Sequence, residues 1–219
     1  MSARVIRLEA AELERFKREL GHEGTPPQYS HSNFLVRELV WRRLDHLIAL
    51  SRSDLKERVL DFGGGNGVLA PTLSERYREM VCVDLQPQML ERVVQERQLR
   101  NVTIRAEDLF SAKLEAETFD TVIAADVLEH IPDFVSVVKE LRRLLKPGGE
   151  LLVSAPSENL LYAVARLLFG YQKPADHYHD ARSIERLVGE ILPVAAREFF
   201  PVPLASFSFF SLLRFVRSR

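Results

Sequence analysis

Acidic side chains and glycines fall together in the stretch Asp61-Phe62-Gly63-Gly64-Gly65-Asn66-Gly67. Arg58 to Phe62 reads as a short, mostly apolar strand, and Val68 onward as the start of a helix. Glycine lets the backbone take positive φ and lets a ligand approach, because no Cβ intervenes. A turn of this kind offers unpaired N–H groups and the positive end of a helix dipole. It suits a nucleotide-like ligand lying across the carboxyl end of a parallel strand. Gly65, Gly67 and Ala70 also fit the loose pattern G-x-G-x-x-A. Asp84 lies 17 residues beyond Gly67, after the apolar run Met80-Val81-Cys82-Val83. A carboxylate at the tip of a second strand can accept both hydroxyls of a ribose.

These two features together point to an adenosine-containing ligand and leave NAD and S-adenosylmethionine both open. Histidine is the other source of chemistry, since imidazole is the usual proton acceptor at neutral pH. His130 follows an apolar run that reads as a strand, on the side of a parallel sheet where ligands bind. His177 and His179 lie in a loop with Asp176 and Asp180. No further ligand set accompanies that pair, so no metal site is assigned. Tyr29, His31 and Phe34 sit just before or at the start of an expected helix, where ordinary packing and a place beside a site are both open.

Strands and helices alternate from residue 55 onward, which implies a parallel sheet wrapped by helices. Strands are expected at Arg58–Phe62, Met80–Asp84, Val102–Arg105, Thr121–Ala125 and Glu150–Ala155. Helices are expected from Val68 to Arg78, from Pro87 to Leu99 and from Asp133 to Leu145. Gly148 would stop the last of these. Before the first strand, Ser32 or Asn33 caps a helix whose Phe34, Leu35, Leu39, Val40, Leu44, Leu47 and Ile48 keep helical spacing. A further helix is expected over Leu160 to Phe169, and another from Asp180 or Ser183 to Ile191.

Asp61-x-Gly63-x-Gly65-x-Gly67 resembles the first motif of class I S-adenosylmethionine-dependent methyltransferases. Three later stretches match the family in order: Asp108-Leu109, the run Phe119 to His130, and Leu145 to Val153 with its Lys-Pro-Gly-Gly turn. The resemblance covers roughly residues 55 to 160 and is nearest to small-molecule, quinone-biosynthesis-like members. It implies an α/β, Rossmann-like doubly wound fold with a mostly parallel seven-stranded sheet and helices on both faces. It also implies methyl transfer from S-adenosylmethionine, leaving S-adenosylhomocysteine, to an oxygen or carbon of a small acceptor.

By that resemblance Asp61, Gly63, Gly65 and Gly67 border the methionine part of the donor. Asp84 holds the ribose and Leu85 flanks the adenine. Asp108, with Glu107 as a neighbour in register, meets the adenine amino group, and the Leu109 backbone meets a ring nitrogen. Ala125 and Asp126 close over the donor, and His130 and His177 are the candidate catalytic bases. Residues 1–54 form a helical segment flanking the site and residues 55–219 the donor-binding domain. Segments at about 156–182 and 199–219 shape the acceptor pocket. A donor-fold scaffold without catalysis and a protein-modifying methyltransferase remain as alternatives.

Composition narrows the partners. The net charge of −1 gives no field to gather a polyanion, so nucleic acid is not expected. The single Cys82 forms no internal disulfide, and no apolar signal core opens the chain, so a cytoplasmic setting is expected. Six of the thirteen phenylalanines lie after Arg197, and from Arg197 on the local net charge is +3. On a helical wheel from Ser208, Phe209, Leu212, Leu213 and Val216 share one face. Such a tail either finishes the core, or covers a lipid-like acceptor, or rests on a membrane surface.

Overall fold

The computed structural model describes residues 4–21, 27–52, 54–157, 159 and 177–218. The chain forms two compact units, Met1–Lys113 and Leu114–Arg219. The first unit contributes three strands, at Arg58–Phe62, Glu79–Val83 and Val102–Arg105, and the second four, at Phe119–Ala125, Leu145–Pro156, Val194–Phe200 and Phe210–Val216.

In the first unit β1 (Arg58–Phe62), β2 (Glu79–Val83) and β3 (Val102–Arg105) run parallel, with Asp61 opposite Cys82 and Cys82 opposite Ile104. The first two are buried along nearly their whole length, as continuous apolar strands of a covered parallel sheet must be. The connecting helices are α3 (Ala70–Arg76) and α4 (Gln88–Glu96). Pro71 suits the first turn of α3, where a missing N–H goes unnoticed. The helix is shorter at both ends than the expected Val68 to Arg78.

Two further helices complete this unit. α1 (Ala10–Leu20) buries Leu13 and Phe16, and its Glu12, Arg15 and Glu19 pair with Arg97, Glu96 and Arg92 at α4. α2 (Phe34–Ala49) is capped by Asn33, whose Oδ1 accepts the Leu35 N–H at 2.8 Å. Val40, Leu44, Leu47 and Ile48 are buried as expected. Val36, Trp41 and Arg43 are inside, while Phe34 and Leu35 are 61% and 69% exposed. Tyr29 decides this face: its ring meets Trp41 edge-on at 5.1 Å, and its hydroxyl accepts from Arg43 at 2.8 Å. A buried guanidinium is tolerated only with such partners.

The second unit holds β4 (Phe119–Ala125), β5 (Leu145–Pro156), β6 (Val194–Phe200) and β7 (Phe210–Val216). β4 and β5 are parallel, and β7 runs antiparallel to both β5 and β6. The Lys146-Pro147-Gly148-Gly149 turn lies within β5 rather than before it. Gly148 takes φ of 79°, and the register slips between Phe119 and Thr121, so the turn is absorbed as a strand irregularity. Gly149 must be glycine, since a Cβ there would fall 2.9 Å from the Lys146 carbonyl. α5 (Phe134–Leu144) is capped by Asp133 and α6 (Ala181–Gly189) by Asp180, each accepting an N–H three residues on. The expected helix over 160–169 and the loop up to residue 176, Asp176 included, lie outside the described residues.

Of the readings open for the tail, the one in which it finishes the core holds, and the helical wheel from Ser208 does not apply. Residues 210–216 form a strand between β5 and β6, and Leu212, Leu213 and Phe215 are wholly buried. The adjacent Leu212 and Leu213 point to opposite faces of a strand, and both faces are covered. No helix among the described residues is long and apolar enough to cross a membrane. A chain ending at Leu204 loses this strand. Burial of three such side chains is worth on the order of 5–9 kcal/mol, comparable to the whole net stability of a domain. Circular dichroism of that truncated chain should show an unfolded protein at room temperature. A cooperative melt near that of the full chain would show that the strand is dispensable.

Candidate functional site

The first unit builds a glycine cradle at the carboxyl ends of β1 and β2. Gly63 donates to the Val83 carbonyl at 2.9 Å, tying the loop to β2. Gly63 and Gly67 take φ of 75° and 69°, the left-handed region that glycine fills without strain. Gly64 and Gly65 are fixed by space instead. A Cβ on Gly64 would lie 2.1 Å from Asp61 Oδ2, and one on Gly65 2.6 Å from the Asp84 carboxyl carbon. Asp84 Oδ2 accepts the Gly65 N–H at 2.8 Å, and Oδ1 accepts the Gln86 N–H at 2.7 Å. The Gly65 carbonyl in turn accepts from Leu90 at 3.0 Å, so the loop is held from both sides.

Asp61 is 2% exposed and Asp84 half-buried. Burial, with the charge of Asp84, pushes the Asp61 carboxyl up to about 7. Leu85 beside Asp84 is 72% exposed, an apolar side chain held out at the strand end. Asp108 and Leu109 follow β3. Leu109 is buried, whereas Asp108 serves its own turn. Its Oδ1 accepts the N–H groups of Phe110 and Ser111, its Oδ2 accepts the Ser111 hydroxyl, and these bonds hold its carboxyl below the usual range. Phe110, which carried no sequence signal, is 54% exposed next to it.

The second unit gathers the histidines. β4 ends at Ala125, and Asp126 follows with φ of 54°. Asp126 is pinned to β5 twice: its N–H donates to the Ser154 carbonyl and its Oδ1 accepts the Ser154 hydroxyl, both at 2.9 Å. A 3-10 turn over Leu128–His130 comes next. The segment with His177 lies along it, because the Tyr178 N–H donates to the Glu129 carbonyl at 2.8 Å. His130 and His177 meet edge-to-face with ring centres 4.6 Å apart. His179 diverges: its Nε2 bonds the Pro132 carbonyl at 3.1 Å and its ring packs on Phe134.

The two histidines named as catalytic are therefore brought together and His179 is set apart as structural. Glu129 is the residue that the sequence reading passed over. It is 1% exposed, and a carboxylate oxygen of Glu129 and one ring nitrogen each of His130 and His177 lie within 4.8 Å of one another. Its place directly before His130 was the available signal. Tyr29 and His31 do other work: Tyr29 packs on Trp41, and His31 Nδ1 accepts the Asn33 N–H at 3.0 Å.

Residues 60–153 match a family described as a methyltransferase domain. The ubiquinone biosynthesis O-methyltransferase of Neisseria meningitidis serogroup C is 35% identical over 125 residues, covering 53% of this chain and 51% of that one. The chain spans about half the length of the first curated relatives it matches. The protein of the same name from Paracidovorax citrulli is 32% identical over 168 residues, covering 73% of this chain and 67% of that one. The chain belongs to the class I S-adenosylmethionine-dependent methyltransferases. The N-methyltransferase NodS from Bradyrhizobium japonicum, solved with S-adenosylhomocysteine, shares the fold at a TM-score of 0.68 and 21% identity, covering 94% of this chain and 98% of that one.

The family's methyl donor is S-adenosylmethionine, and the glycine loop with Asp84 is the part of this chain whose make-up suits such a ligand. Where Gly64 and Gly65 would carry side chains, the carboxylates of Asp61 and Asp84 already stand, so neither position has room for one. In the Gly65→Ala variant the new methyl must push Asp84 away from the Gly65 N–H. Calorimetry with S-adenosylhomocysteine should show affinity reduced by about 1–3 kcal/mol, the range for a lost charge-assisted bond. Unchanged affinity in a folded variant would remove this loop from the site.

Proposed function

We propose that this protein transfers a methyl group from S-adenosylmethionine to a hydroxyl oxygen of a small apolar molecule. The carrying observation is the paired imidazoles of His130 and His177 just beyond the carboxyl end of β4, in a chain with an intact glycine cradle. The oxygen acceptor and its class follow relatives named for O-methylation in ubiquinone biosynthesis. In this reading Asp61, Gly63, Gly65, Gly67, Asp84, Leu85, Asp108 and Leu109 hold the donor in the first unit. Residues 1–54, in the same unit, flank this cradle.

The donor when bound supplies an activated methyl group whose leaving sulfur departs as a neutral thioether. The protein's share is position and proton. Holding the acceptor oxygen in line with the methyl carbon supplies most of the acceleration. A ring nitrogen of His130 would take the proton of the acceptor hydroxyl as that oxygen is methylated. His177 packs edge-on against His130 and fixes its plane, and the Tyr178–Glu129 main-chain bond fixes His177.

One observation favours a second reading of the acceptor chemistry. Glu129, His130 and His177 offer a carboxylate oxygen and two ring nitrogens, the donor set of a catalytic zinc-type ion. A cation held there, instead of His130, would draw the proton from a bound hydroxyl. Peripheral lipid contact, on the present fold, belongs to the connection between β6 and β7, where Val202, Leu204 and Phe207 are exposed, and not to the buried tail.

Labelled donor incubated with a cell extract should place label in a small-molecule fraction. Label in protein alone would favour a protein-modifying enzyme, and label nowhere would favour a scaffold. With the acceptor known, His130→Ala should lower turnover by about 10²–10⁴ with donor affinity unchanged. Alkaline pH, where the acceptor ionises unaided, should restore part of that loss. Full activity in the variant would remove the base. Turnover abolished by a chelator and restored by zinc or manganese would establish the second reading over the first.

A further inference from the structure

In the second unit the chain from His177 on is fastened to the stretch beyond β4 at two neighbouring points. The first is in the backbone, where the Tyr178 N–H donates to the Glu129 carbonyl at 2.8 Å. The second is a side chain. One residue later the His179 Nε2 meets the Pro132 carbonyl at 3.1 Å, and the His179 ring stands edge-on to Phe134 with ring centres 4.6 Å apart. A carbonyl only accepts, so Nε2 donates the proton of this bond. Phe134 is 1% exposed and opens α5, so the second fastening reaches a fixed part of the core.

His177 and His179 are two residues apart, and side chains so spaced share one side of an extended chain. Both rings reach residues 130–134, His177 at His130 and His179 at Phe134, while Tyr178 between them is exposed. Beyond His179 the chain is held again, because Asp180 accepts the Ser183 N–H at 2.9 Å as the cap of α6 and Ala181 is buried. A single bond at Tyr178 fixes a distance and leaves the chain free to pivot about it. A second contact one residue on removes that pivot, and the pivot is what would carry the His177 ring away from His130.

We propose that His179 is a positioning residue for methyl transfer: its bond to the Pro132 carbonyl and its packing on Phe134 hold the His177 ring against His130. The proposal rests on the reading of His130 as the base and deepens it. His179 acts through His177 and exchanges no proton with the acceptor. The chain thus uses its three neighbouring histidines differently. His130 works at the acceptor, His177 sets the plane of His130, and His179 sets the place of His177.

Two variants separate the bond from the packing. His179→Phe keeps a ring against Phe134 and loses the donor, whereas His179→Gln keeps an N–H donor at similar reach. Nuclear Overhauser contacts between the ring protons of His130 and His177, in protein with ¹³C-labelled histidine, read the pair directly. They should be present in the native protein and in His179→Gln, and lost in His179→Phe. Transfer of labelled methyl from S-adenosylmethionine to the small-molecule fraction of a cell extract should fall in His179→Phe by up to about a hundredfold, the cost of a misplacement of about 1 Å. It should recover in His179→Gln, with S-adenosylhomocysteine affinity at the native value in both. Where His179→Phe does not fold, His179→Ala takes its place. A variant without the donor that keeps the ring contact would overturn the proposal, and so would equal loss of transfer in His179→Phe and His179→Gln. A lost contact with an unchanged rate would overturn it too. His130→Ala then shows whether the base reading falls with it: full activity removes the base, and reduced activity leaves His130 as a base that needs no help from His177.

Discussion

The bond from the Gly65 N–H to Asp84 Oδ2 sets what the first unit can do. It fixes a loop backbone in which Asn66 alone carries a side chain, and it does so from the end of the next strand. Three requirements meet there. β1 and β2 must be parallel and in register, so that Asp61 stands opposite Cys82 and Asp84 emerges one residue past Val83. Residue 65 must lack a Cβ, because the carboxylate occupies its place. α4 must begin close by, because Leu90 donates to the Gly65 carbonyl. Few side chains are free to vary under those conditions, and none of them is chosen for packing alone.

The second unit solves a different problem. Its histidines come from distant parts of the chain and are joined by main-chain pairing, Tyr178 to Glu129, rather than by a rigid element. The turn that carries His130 is itself anchored through Asp126, whose positive φ is stabilised by two bonds to Ser154 on β5. Strain at a strand end is a frequent mark of a working site. Asp126 combines that conformation with a fixed position, four residues before His130.

Much of this was legible in the sequence because it is local. Glycines after an apolar strand, an acid after the next strand and caps such as Asn33, Asp133 and Asp180 each declare themselves within a few residues. What was not legible depends on partners far along the chain. Leu212 and Leu213 fit a helical face as well as two faces of a strand, and only pairing with β5 and β6 decides between them. Phe34 and Leu35 kept helical spacing yet are exposed, because Tyr29 draws Trp41 and Arg43 inward instead. The bonds by which the Asp108 oxygens accept from Phe110 and Ser111 depend on a turn that the sequence does not announce. Glu129 was hidden because its significance lies in His177, which no spacing rule connects to it.

The account stands on the loop at residues 63–67 and the adjoining Asp84 as the place where the donor is held. Amide hydrogen exchange with and without S-adenosylhomocysteine tests that most directly, since it needs neither the acceptor nor turnover. Peptides spanning residues 61–67 and 84–90 should gain the largest protection on saturation, while those spanning α1 remain unchanged. Binding that protects other segments and leaves these two as they were would contradict the account.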